Sequence, residues 1–207
     1  MESQPRPLRQ EHAARETVVT LCTGTFRELE RGPMSILDII KNRRSVREFK
    51  DQEIPEKEID VLIEALRWAP SAGNLQSRKF YFVLNEDIRN KLAQAGLKQN
   101  FVSFIARAPL VVVACADLRI ASRYGKRGTE LYCIQDTAAS IQNLLLAAHD
   151  LGLGTCWAGA FNEEKVREIL DLPDNLRPVA IVPVGYPART PKAPDRVPKI
   201  DVVEILP

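Results

Sequence analysis

Residues 110–116 read Leu-Val-Val-Val-Ala-Cys-Ala, an unbroken apolar run between Pro109 and Asp117. A strand with one wet face alternates polar and apolar residues. A continuous run is expected of a central strand buried on both faces. Such a strand needs cover above and below, and the chain supplies helices for it. Residues 130–151 form the longest helical segment, with Leu131, Ile134, Ala138, Ile141, Leu145 and Ala148 near-periodic. The small residues Ala138, Ala139, Ser140, Ala147 and Ala148 let another helix approach closely. A helix with so little polar surface is buried, inside the domain or in a subunit interface. Ile59, Leu62, Ile63 and Leu66 recur at i, i+3, i+4, i+7, the apolar stripe of an amphipathic helix entered at Pro55 and stopped at Ala69-Pro70.

The remaining elements follow in order. Ser35 caps a short helix that ends near Asn42, with Asp38 three residues on. Residues 79–84 are rich in aromatic and branched side chains and predict a strand. Residues 86–97 and 100–107 predict helices, and 117–129 is irregular and basic. Residues 155–161 predict a short strand running into a turn. Asn162 caps a helix over 163–170. Residues 179–184 predict a second buried strand, broken by Pro183, and 201–206 a last edge strand after a proline-bearing tail. Strands interleaved with helices make the chain α/β or α+β.

Composition narrows the function classes. The chain of 207 residues has a formal net charge of +2, too small to argue for nucleic acid or an acidic membrane surface. Cys22, Cys115, Cys133 and Cys156 are scattered, and His12 and His149 complete no metal-ligand spacing with them, so no metal site is expected. A disulfide-stapled fold is not expected at this length, which points to a reducing, cytoplasmic setting. No apolar run approaches the roughly 20 residues that span a bilayer. Residues 1–33 carry charges throughout and are expected to be an extension outside the core, with the patterned domain occupying 34–207.

The chemistry concentrates in Arg43-Arg44-Ser45-Val46-Arg47-Glu48-Phe49. Guanidinium groups hold phosphate by bidentate, charge-assisted hydrogen bonds, and a serine adds a donor. The run by itself reads more readily as a solvated basic turn. Three further stretches bear on it: Ala69-Pro70-Ser71-Ala72-Gly73-Asn74-Leu75-Gln76; residues 136–154, with Gln142-Asn143 and a Gly-Leu-Gly end; and Val184-Gly185-Tyr186-Pro187 with Arg196. With these four stretches in this order, over about residues 34–200, the chain resembles the FMN-dependent nitroreductase family.

The resemblance implies an α+β fold with a mixed central sheet flanked by helices, in an intertwined homodimer holding FMN at its interface. It implies ping-pong hydride transfer from NAD(P)H (NADH or NADPH) through FMN to a nitroaromatic, a quinone or a similar small acceptor. The chemistry is then carried by the flavin, and no catalytic side chain is required. By the same resemblance, Arg43, Arg44 and Ser45 hold the phosphate and ribityl chain, and Arg47 sits by the pyrimidine end of the ring. Pro70, Ser71, Ala72 and Asn74 approach from the other subunit. Backbone N–H groups of Ala158, Gly159 and Ala160 face the reactive ring nitrogen, and Arg196 closes on the phosphate. Some members place a lysine near the position of Pro194. The basic segment with Arg123, Tyr124 and Arg127 reads either as a solvated loop or as a lid that attracts anionic substrate groups.

Two other readings compete. One is a non-catalytic flavin or nucleotide binder, or a specialised dehalogenase or flavin-remodelling enzyme of the same fold. The other is a nucleic-acid-binding protein, which the near-neutral charge opposes.

Overall fold

The computed structural model describes residues 35–97 and 104–206. Its elements are α1 (Ile36–Asn42), α2 (Glu56–Arg67), β1 (Arg78–Val83), α3 (Glu86–Gln94), β2 (Leu110–Asp117), α4 (Cys133–Asp150), β3 (Gly154–Thr155), α5 (Glu163–Leu170) and β4 (Leu176–Gly185). The strands form one sheet in the order β1-β2-β4-β3, every neighbouring pair antiparallel. A parallel bridge between Ser45 and Thr155 extends it at the β3 edge. The architecture is α+β.

β2 is buried at every position, as its sequence requires. Alternate side chains of a strand point to opposite faces. Val111, Val113 and Cys115, with Ile181 of β4, pack on Leu92 and Ala93 of α3 and Val166 of α5. Leu110, Val112 and Ala114, with Ala180, Val182 and Val184, pack on Leu62 and Leu66 of α2 and on Ile141, Leu144, Leu145 and Ala148 of α4. The sheet is thus covered on both sides. Each fully buried Leu or Ile contributes about 1.5–3 kcal/mol.

Local chemistry sets the helix starts. Ser35 Oγ accepts the Asp38 N–H and donates to the Asp38 carboxylate, closing the expected capping pair. Asn85 accepts from Ile88, and Asn162 from Lys165.

Several expectations change. Pro183 does not break β4, which runs through both Pro178 and Pro183. Proline has no N–H to give, but the Pro183 carbonyl still accepts from Cys156 at 3.4 Å. The edge strand expected over 201–206 is absent. A 3-10 turn at Lys199–Asp201 stands there instead, and the residues around it are exposed. The segment 155–161 contributes only Thr155 to β3, then single bridges from Ala158 to Ile181 and from Phe161 to Gly96. The long helix begins regular α-geometry at Cys133, after a π-helical turn at Gly128–Tyr132. The segment expected to be irregular is a chain of short helical turns, Leu118–Ala121, Ser122–Tyr124 and Gly125–Arg127. Residues 104–107 are helical, whereas the start of the helix expected over 100–107 lies outside the described residues, as does the extension expected over 1–33. Among the described residues no helix is long and apolar enough to cross a membrane.

Candidate cofactor site

α1 ends where the arginine run begins. Arg44 folds back over that end, donating from Nη1 to the carbonyls of Lys41 at 2.6 Å and Arg43 at 2.8 Å. It thereby covers carbonyls that a helix terminus leaves unpaired, with a cation at the negative end of the helix dipole. The next residues are pinned to the sheet. Ser45 bridges Thr155, and the Val46 N–H donates to the Thr155 carbonyl at 2.8 Å. Gly154 makes this approach possible: a Cβ there would stand 2.7 Å from the Val46 Cβ.

Arg43, Arg44, Ser45 and Arg47 line a cleft of about 320 Å³ together with Lys192 and Arg196. The tail after β4 supplies the last two, so residues distant in sequence place five cations around one small volume. Lys192 was not among the residues singled out from the sequence; its signal was the lysine that some relatives carry near the position of Pro194. Arg43 Nε is buried and has no hydrogen-bond partner. Arg47 lies over the Phe104 ring at 5.9 Å. Arg47 and Arg43 also act electrostatically on Cys156, but burial dominates and pushes that thiol up. Burial pushes Cys133 up as well, and Cys115 up to about 12. These three remain thiols, unsuited to nucleophilic work at neutral pH.

Just beyond Cys156, Ala158 exchanges backbone hydrogen bonds with Ile181, donating at 2.9 Å and accepting at 3.0 Å. Its N–H is therefore committed to the sheet and is not free for the contact expected of it. Gly159 is exposed, and a Cβ added to it would meet nothing nearer than Trp157 Nε1 at 3.9 Å.

The second group of expected residues sits elsewhere. Pro70, Ser71, Ala72 and Asn74 belong to a turn held against the start of α4. The Ala72 N–H donates to Asp136 Oδ1 at 2.9 Å, and Ser71 Oγ accepts from Gln76 at 3.0 Å. Tyr124 of the basic segment reaches this turn: a Cβ on Gly73 would lie 2.0 Å from its hydroxyl. Tyr124 packs edge-on against Tyr132, whose hydroxyl accepts from Arg127 Nε at 2.9 Å. Arg127 is thus folded onto its own segment, and Arg123 is exposed. The basic segment therefore accompanies the 70–74 turn and not the arginine cleft.

His149, near the far end of α4, marks the other side. Burial and the neighbouring Arg44 and Arg43 hold its imidazole below the usual histidine range, and its Nε2 is buried without a hydrogen-bond partner. The sign follows from linkage. The unfolded chain takes up this proton first, so the contribution to stability falls as pH drops below about 6.5. We expect the His149 ring to titrate below an ordinary histidine by NMR, with its signal assigned through His149→Gln. Inorganic phosphate in the cleft should raise that value. A titration indifferent to phosphate would separate His149 from the anion site.

Asp136 and His149 are thirteen residues apart on α4. At 1.5 Å per residue these two positions lie about 20 Å apart along the helix axis.

Comparison with known proteins places this fold. The model of the nitroreductase family matches residues 40–103 and 96–186. A Methanothermobacter thermautotrophicus protein provisionally named NADH dehydrogenase/NAD(P)H nitroreductase is 32% identical over 173 residues, covering 79% of this chain and 86% of the relative. The FMN reductase (NADPH) of Bacillus subtilis is 30% identical over 177 residues, covering 79% of this chain and 70% of its own. The crystal structure of a nitroreductase family protein from Clostridium novyi superposes with a TM-score of 0.69 at 32% identity, covering 74% of this chain and 86% of that one. The chain belongs to the nitroreductase family and is an oxidoreductase of that kind.

Proposed function

We propose that the chain binds FMN between two copies of itself and uses NADH or NADPH to reduce a nitroaromatic, a quinone or a similar flat acceptor by a ping-pong route. The observation that carries this reading is the arginine cleft at one end of α4, with the 70–74 turn at the other. In one chain the turn lies beside Asp136 and the arginines beside His149, helix positions about 20 Å apart along the axis. Two copies related by a two-fold axis bring the turn of one to the cleft of the other.

The surface agrees with such a partner. Ile36, Leu37 and Ile40 leave the apolar side of α1 in water, and α1 has no buried residue. Trp68, at the end of α2, is 80% exposed. The tail exposes Val197, Ile200, Val202, Val203, Ile205 and Leu206. These exposed apolar side chains are what a partner copy would cover.

The cleft fits a phosphate monoester. Arg43, Arg44, Lys192 and Arg196 hold its charge, and Ser45 adds a hydroxyl. Arg47 places a further cation in the same cleft, within electrostatic reach of Cys156, where it favours negative charge. When bound, FMN would supply the redox chemistry, accepting hydride from the nicotinamide and passing it on. Relatives named for FMN and for NAD(P)H support both cofactors.

The test is an absorption spectrum before and after anaerobic NADH or NADPH. We expect a yellow protein whose flavin bands bleach, the effective donor being the physiological one. A yellow protein that never bleaches is a flavin carrier. A colourless protein that also refuses added FMN removes the proposal.

A further inference from the structure

The geometry points to Asp136 as the positioning residue of the 70–76 turn: its carboxylate holds the amide side while Arg78 holds the carbonyl side, and the left-handed backbone that meets the cofactor depends on this clamp. The inference rests on the flavin reading above.

The turn is costly to form. Gly73, Asn74 and Gln76 have φ of 53°, 55° and 52°. Glycine adopts this region freely; asparagine does so at modest cost, and glutamine at more. Two such non-glycine residues within three positions persist only where the surroundings over-determine them.

The surroundings do so from two elements. Asp136 of α4 is 6% exposed and has both carboxylate oxygens engaged. Oδ1 accepts the Ala72 N–H at 2.9 Å, and Oδ2 accepts the Ser77 hydroxyl at 3.1 Å. These contacts bracket the left-handed residues on either side. Arg78 of β1 donates to the carbonyls of Ala69 at 2.7 Å, and of Arg67 and Pro70 at 3.1 Å each. Burial pulls the Arg78 guanidinium down and the Asp136 carboxylate opposes that pull, so the two halves of the clamp sustain each other. A buried carboxylate with two neutral donors and a nearby cation is satisfied where it stands. None of this machinery faces the cleft, so Asp136 acts through the turn and touches no reacting atom.

The test combines amide hydrogen exchange in the flavin-free protein with FMN titration followed by flavin fluorescence. In Asp136→Ala the Ala72 amide should exchange about tenfold faster or more, while that of Val112 in β2 holds, and the FMN Kd should rise about tenfold or more. Asp136→Asn keeps an oxygen for Ala72 and turns the Ser77 contact around, so it should return both readings to within about threefold of the parent. Ser77→Ala should move them in the same direction by less, and decides the matter if Asp136→Ala does not fold. Acceleration of Val112 as large as that of Ala72, or unchanged exchange at Ala72, overturns the assignment. If the parent protein takes no FMN, the flavin reading falls and the Ala72 exchange still decides the clamp.

Discussion

Replacing both Arg43 and Arg44 by alanine is expected to give a folded protein that loses its flavin on dialysis. A lost charge-assisted contact to phosphate costs about 1.5–3 kcal/mol. Each single replacement should therefore weaken FMN by roughly ten- to a hundredfold. The pair shares one ligand and is not independent, so the double effect should fall short of the product. The structure also ranks the two. Arg44 already spends Nη1 on the carbonyls of Lys41 and Arg43, so part of its loss falls on the end of α1. Arg43 lines the cleft without that bond to the helix end, so its loss falls on the ligand. Arg43→Ala should thus reduce affinity with little change in melting temperature, whereas Arg44→Ala should lower both. Flavin titration beside thermal unfolding checks this. Full occupancy of the double variant after dialysis would dismantle the phosphate cradle.

This ranking was not legible in the sequence, whereas the run of arginines that lines the cleft was. The run over residues 43–47 announces itself because the motif is local. The sheet core is legible for a similar reason: an unbroken apolar run and helix periodicity are short-range patterns, and the run over 110–116 requires the cover on both faces that the helices supply. The caps at Ser35 and Asn162 are local chemistry too. What escaped depends on partners remote in the chain. Pro183 looks like a strand breaker until its carbonyl is seen to take the Cys156 N–H. Ala158 looks like a free donor until Ile181 accepts from it. The tail over 201–206 has strand composition but meets no sheet edge of its own chain, and composition without a partner forms no strand. Lys192 reaches the cleft, Asp136 reaches Ala72, and Tyr124 reaches Gly73 only because the chain has folded.

Gly154→Ala is expected to damage stability and flavin binding together, while its neighbour Gly152→Ala damages stability alone. The two glycines answer to different physics. Gly152 has φ of 78°, in the left-handed region, and a Cβ there meets nothing within 4 Å. Its replacement pays only backbone strain, about 1–2 kcal/mol. Gly154 has open backbone geometry and no open space: its Cβ would lie 2.7–2.9 Å from the Cβ and both γ-methyls of Val46. Val46 cannot swing aside. It is 3% exposed, its Cβ does not move on χ1 rotation, and its N–H is bonded to Thr155 at 2.8 Å. The chain must therefore separate residues 45–47 from β3, an overpacking cost of about 1–3 kcal/mol. Ser45 and Arg47 flank Val46 and move with it, so the cleft they line opens as the core is relieved. FMN affinity should drop about tenfold or more for Gly154→Ala and stay within about threefold of the parent for Gly152→Ala. Equal flavin affinity in the two variants, measured on folded protein, would show that the arginine run does not depend on its seat against β3.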